Sequence, residues 1–109
     1  MARSYASSAS RALVGTLLVT LRFVEGAEHA KKRTVRSMTD RLRALKVFSV
    51  AEVSAPEERF QAQIAIAWVG TNRTDGQRAF QRALHVLELG DALVVDQIQS
   101  FAPIAEFDG

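Results

Sequence analysis

The sequence predicts an α+β fold, and three observations carry that prediction. Apolar residues alternate with a period of two in the blocks 13–23 and 61–70. They recur at a spacing of three to four in the blocks 29–46 and 74–88. Clusters of glycine, proline and polar residues separate these blocks. A period of two marks a strand with one buried face, and a period near 3.6 marks a helix with one buried stripe.

Residues 1–11 are Ser/Ala-rich and read as a flexible tail ahead of a single domain over 12–109. In the first strand Leu13, Gly15, Leu17, Val19, Leu21 and Phe23 share one face, and Val14, Thr16, Leu18, Thr20 and Arg22 the other. Arg3, Arg11 and the apolar run after them loosely resemble a signal peptide. The strict alternation through Thr16 and Thr20 argues for a strand instead. Glu25-Gly26-Ala27 breaks the strand. From about His29 to Lys46, the stripe Val35, Met38, Leu42 and Leu45 predicts a helix. Val47–Val53 is short and β-branched, hence a second strand, and Ser54–Arg59 with Pro56 is a loop. In the third strand Ile64, Ile66 and Trp68 face one way, and Gln63, Ala65 and Ala67 the other. Thr74 followed by Gln77 matches a capping box, opening a helix with the stripe Phe80, Ala83, Leu84 and Leu87. Gly90 stands where that helix should stop. Ala92–Phe101 is a fourth strand, and the end of the chain can pack Ile104 and Phe107. The order β-α-β-β-α-β predicts one antiparallel four-stranded sheet, ordered 4-1-3-2, with two helices on one face: the ferredoxin-like arrangement.

Composition bounds the chemistry. A chain of 109 residues, 48% hydrophobic and 24% charged, suits one globular domain with a real core. It has no cysteine, which excludes disulfides, thiolate metal sites and a thiol nucleophile. The net charge of +2 conceals an asymmetry. Residues 1–46 carry ten Lys/Arg against three acids, a net +7, and residues 47–109 carry four against nine, a net −5. Such a division fits either an anionic partner or attraction between the halves, within one chain or between two copies.

Several strings in fixed order carry a family resemblance: Lys31-Lys32-Arg33, Asp40-Arg41-Leu42-Arg43, Ser49-Val50-Ala51-Glu52-Val53, Ile66-Ala67-Trp68-Val69-Gly70 and His85-Val86-Leu87-Glu88. Together they resemble the YlxP-like family, small bacterial proteins of unknown function, over roughly residues 13–108. The family's Ser-Leu-Lys-x-Lys-Arg string is represented only by its basic end. Its Trp-Gln-Arg string is represented only by Phe60-Gln61. The resemblance implies a ferredoxin-like fold, a cytoplasmic location and, because genes of the family lie among those for translation and ribosome maturation, a link to the ribosome. It brings no catalytic residues.

The first helix is the chief candidate for function. Lys32, Arg36 and Arg43 fall on one flank of its apolar stripe, Arg33 lies further round, and Arg41 sits on the opposite flank. With Lys31 and Lys46 these cations could contact a phosphate backbone. They equally fit a solvated helix face in which Asp40 pairs with Arg36 and Arg43. The outward residues of strands 1 and 3 include no aromatic, so base stacking on the sheet is not expected. Trp68 reads as core, and Glu52 as a partner for an arginine of the first helix. Gly70-Thr71-Asn72 reads as an ordinary capped turn rather than an anion nest. His29 and His85 lack ligand-like spacing. No membrane, metal or cofactor is expected. The expectation is a binding module without enzymatic activity that contacts structured RNA or a ribosomal particle through Lys31, Lys32, Arg33, Arg36, Arg43 and Lys46. The alternative is a self-associating, dimeric or protein-binding module using the open sheet face.

Overall fold

A computed structural model describes residues 11–23, 28–54, 60–90 and 92–104. Six elements follow one another: β1 (Leu13–Arg22), α1 (Glu28–Ala44), β2 (Ser49–Glu52), β3 (Gln61–Gly70), α2 (Arg73–Glu88) and β4 (Leu93–Pro103). The expected tail lies outside the described residues apart from Arg11, as do most of the 54–59 loop and Phe107.

The four strands form one antiparallel sheet in the order β2-β3-β1-β4, the expected 4-1-3-2 order read from the other edge. The fold is therefore ferredoxin-like α+β. β1 pairs with β3 from Leu13↔Gly70 to Arg22↔Gln61 and on its other side with β4, so the run that loosely resembled a signal peptide is a central strand. A bulge opposite Thr20/Leu21 interrupts the β1–β4 ladder.

Alternation puts Leu17, Val19, Leu21, Phe23, Ala62, Ile64, Ile66 and Trp68 on the helix-covered face, all buried. Val35, Met38 and Leu42 of α1 and Phe80, Ala83 and Leu87 of α2 close the core from above. Burying a large aliphatic or aromatic side chain stabilises by roughly 1.5–3 kcal/mol, so this shared core is the main force holding the layers together.

Local boundaries depart from the sequence expectations. α1 stops at Ala44, short of Lys46, because Lys46 adopts the left-handed conformation at φ 60°. The amides of Leu45 and Lys46 bond back to the carbonyls of Leu42 and Arg43. β2 is shorter than the expected Val47–Val53: its ladder with β3 runs from Ser49 to Glu52, and past it only the Val53 N–H still donates to the Gln63 carbonyl, at 2.9 Å. β4 runs on to Pro103, and Ile104 N–H donates to Ala12 C=O at 2.9 Å. α2 is capped by Asn72, not Thr74: the Asn72 side chain accepts from Thr74 N–H at 2.8 Å and Asp75 N–H at 3.4 Å. Asparagine is at least as good a cap as threonine, and starting at Asn72 adds half a turn of helix.

The aromatic core is built around missing side chains. Phe48 stacks on Phe80 at 6.0 Å, Phe80 meets Phe101 at 5.6 Å, and Phe101 meets Trp68 edge-on at 6.0 Å. A Cβ at Gly15 would stand 2.6 Å from Phe101 Cε1, and one at Gly76 would overlap Phe101 and come within 2.7 Å of Trp68 Cζ3. One at Gly70 would run into the indole of Trp68. Gly90 likewise leaves room for the Met38 methyl, which fastens α1 to the end of α2.

Candidate functional site

Helix geometry sorts the cations of α1. Lys31 lies four residues before Val35 and therefore falls on the apolar stripe, and the structure buries it at 9% exposure. It stands apart from the surface to which it was expected to contribute. Lys32, Arg36 and Arg43, at spacings of four and seven, share the flank of α1 that faces β2. All three are exposed and line one open depression of about 630 Å³. Thr39 and Asp40 contribute from α1, and Glu52 closes the far side from β2. Arg33 also borders it. Lys46 is exposed beyond the helix end.

Arg43 has a second task. Its Nη2 donates to the Val50 carbonyl at 2.9 Å, fastening α1 to the outer edge of β2. Its Nη1 lies 3.8 Å from Asp40 Oδ1, an exposed pair of small energetic weight. Half of the expected Asp40 pairing is thus present, while Arg36 forms no ion pair with another described residue. Glu52 faces the depression, but among the described residues its bond comes from Ser54 Oγ at 2.9 Å rather than from an arginine. The depression therefore offers Lys32 and Arg36 as cations uncommitted to any described residue, beside two carboxylates.

The remaining candidates resolve plainly. Trp68 is core, 8% exposed. Asn72 satisfies the first amides of α2, so the Gly70-Thr71-Asn72 turn is a cap. His85 is exposed on α2. Among the described residues no three His, Asp or Glu side chains gather as metal ligands would. No described helix is long and apolar enough to cross a membrane. The open sheet face carries Thr16, Leu18, Thr20, Gln63, Ala65 and Ala67, none aromatic, with Gln63 Nε2 donating to Thr20 Oγ1 at 3.3 Å.

Sequence reasoning missed a second basic row. Arg78, Arg82 and His85 recur at i, i+4 and i+7 on the outer side of α2 and are all exposed. They line a depression with Leu45 from the end of α1. The i, i+4 spacing on a polar helix face was the available signal.

The fold and this surface define a small ferredoxin-like α+β protein with a basic helix layer and an open, non-aromatic sheet. The chain belongs to DUF503, a family described as proteins of unknown function, whose model matches residues 14–99. No curated protein matches it. Among solved structures it is similar to a structural-genomics protein, YJCS, at a TM-score of 0.54 and 8% identity, covering 80% of this chain and 96% of that one. It is also similar to a putative antibiotic biosynthesis monooxygenase from Chloroflexus aurantiacus J-10-fl, at a TM-score of 0.51 and 12% identity, covering 80% and 90%. A third, a conserved protein of unknown function from Bacteroides thetaiotaomicron, matches at 0.50 and 11%, covering 81% and 94%. At such identities the likeness is one of fold. It nevertheless corrects the expectation of a chain without enzymatic activity. That expectation rested on finding no catalytic constellation in the sequence, and the same scaffold is shared with a protein named as a monooxygenase.

Proposed function

We propose that this chain is a YlxP-like binding module that contacts structured RNA or a ribosomal particle through the exposed flank of α1. The observation that carries the reading is the convergence of Lys32 and Arg36, with Arg43, on one open depression. Along the helix, Arg36 lies about 6 Å beyond Lys32 and Arg43 about 10 Å further, a row long enough to meet successive phosphates. Arg33 borders the same depression, and Lys46 is exposed past the end of the helix. Contacts of this kind position a nucleic acid without reading its sequence, and each releases counterions. The test is binding of the purified protein to ribosomal subunits and to an RNA hairpin across a salt series, beside Lys32→Glu/Arg36→Glu. Affinity that falls steeply with salt and drops in the variant supports the reading. Equal affinity of a folded variant refutes it. Arg43 is left intact because its loss would also loosen β2.

One feature favours a second reading, self-association. On the open face Leu18 and the 59%-exposed Ile98 pair across β1 and β4, beside a shallow floor of Ser49, Ala51, Ala65 and Ala67. A ridge next to a hollow on one face is self-complementary under a two-fold axis. Sedimentation of wild type and Ile98→Lys decides it. A concentration-dependent mass that the variant abolishes supports a dimer, and a constant monomer mass excludes it.

A further inference from the structure

The two helices lie side by side over one sheet face, and their outer surfaces form a single layer. Arg33, on the outer crest of α1, borders the β2-side depression and also a second one, which Arg41 lines from the flank turned away from β2 and which ends on Leu89 and Gly90 after α2. The next depression joins Leu45, just past the end of α1, to Arg78, Arg82 and His85 of α2. Arg33, Arg41, Arg78 and Arg82 are all exposed, and among the described residues no carboxylate lines either hollow. The β2-side depression differs, since Asp40 and Glu52 offset part of its charge. The positive surface is thus not confined to one flank of one helix. It continues across α1 onto a second row on α2.

We infer that the helix layer as a whole is an interface for double-stranded RNA, with the α1 row on one phosphate strand and Arg78 and Arg82 of α2 on the other. The inference rests on the RNA reading above and extends it to a shape. A single row can follow a single strand. Two rows on packed helices, with axes about 8–10 Å apart, offer cations to two backbones at once. Double-stranded RNA is recognised chiefly through backbone and shape, which is the chemistry such a surface has. The sheet face, lacking aromatics, offers no competing platform for splayed bases.

The experiment compares wild type, Arg78→Glu/Arg82→Glu and Lys32→Glu/Arg36→Glu in binding a perfect RNA hairpin and an unstructured RNA of equal length over a salt series. All substituted residues are exposed, and circular dichroism with Trp68 fluorescence checks folding. The inference expects wild type to prefer the hairpin. It expects the α2 variant to lose that preference with about a tenfold drop in hairpin affinity and a salt slope shallower by about 2. The α1 variant should weaken both RNAs. If the α2 variant binds the hairpin as wild type does while the α1 variant fails, the two-row interface is wrong and the α1 reading stands. If wild type binds neither RNA at low salt, both fall.

Discussion

Gly76 closes the first turn of α2, where helix propensity alone would prefer alanine by up to about 0.8–1 kcal/mol. The packing predicts the opposite sign. An added Cβ would overlap Phe101 Cε1 and stand 2.7 and 2.9 Å from Trp68 Cζ3 and Cε3. Neither ring is free to withdraw. Trp68 is pressed against Gly70, while Phe101 lies against Gly15 and Phe80. Overpacking a rigid core costs roughly 1–3 kcal/mol, and two pinned aromatics place this site at the upper end. After subtracting the propensity gain, Gly76→Ala should destabilise by about 2 kcal/mol. For a domain of this size that lowers Tm by about 8–16 °C. The chain has one tryptophan, so urea unfolding followed by its fluorescence reports directly on the cluster. Repeating the substitution in a Phe101→Leu background should recover at least about 1 kcal/mol as coupling. If Gly76→Ala is as stable as wild type, or costs the same in both backgrounds, the space-making role of Gly76 is refuted.

Other outcomes follow from the same structure. Asn72→Ala removes the acceptor of two amides and should cost about 1 kcal/mol in urea titration, whereas Thr74→Ala should cost clearly less. Lys46→Gly relieves a left-handed side-chain conformation and should stabilise by up to about 1 kcal/mol, read as a higher urea midpoint at unchanged slope. Glu52→Gln removes a carboxylate facing Lys32 and Arg36 and, on the RNA reading, should raise hairpin affinity about twofold at low salt. An unchanged or lower affinity would place the RNA away from the β2 side of α1.

The strands and helices were legible because each carries its own period, and the sheet order followed from the element order. Of the two predicted stripes, Val35, Met38, Leu42, Phe80, Ala83 and Leu87 turned inward as their spacing demanded, while Leu45, past the helix end, and Leu84 are only half-buried. Features needing two distant elements were not legible. Gly76 makes sense only beside Phe101, 25 positions away and on another element. The burial of Lys31 was readable from its phase with Val35, but its charge suggested the surface. Arg43 gave no sign that it would bond the Val50 carbonyl, since backbone acceptors carry no residue signature. The Arg78–Arg82 row was hidden by summing charge over half the chain, which left that half at −5. Of the residues named for the site, Lys32, Arg33, Arg36, Arg43 and Lys46 are exposed and Lys31 is buried.

The bond from Arg43 to Val50 also makes the two borders of the sheet unlike. β2 is four residues long, and a guanidinium already occupies an outward carbonyl. β4 is eleven residues long, with Asp96 as its one charged side chain. Asp96 Oδ1 accepts from the Gln97 amide beside the bulge, which guards only the first half of that border. From Ile98 to Pro103 there is neither charge nor bulge to turn an incoming strand away. Growth of this sheet, whether by a passing peptide or by aggregation during refolding, therefore has a preferred end, and a lysine placed at Gln99 is the natural stopper.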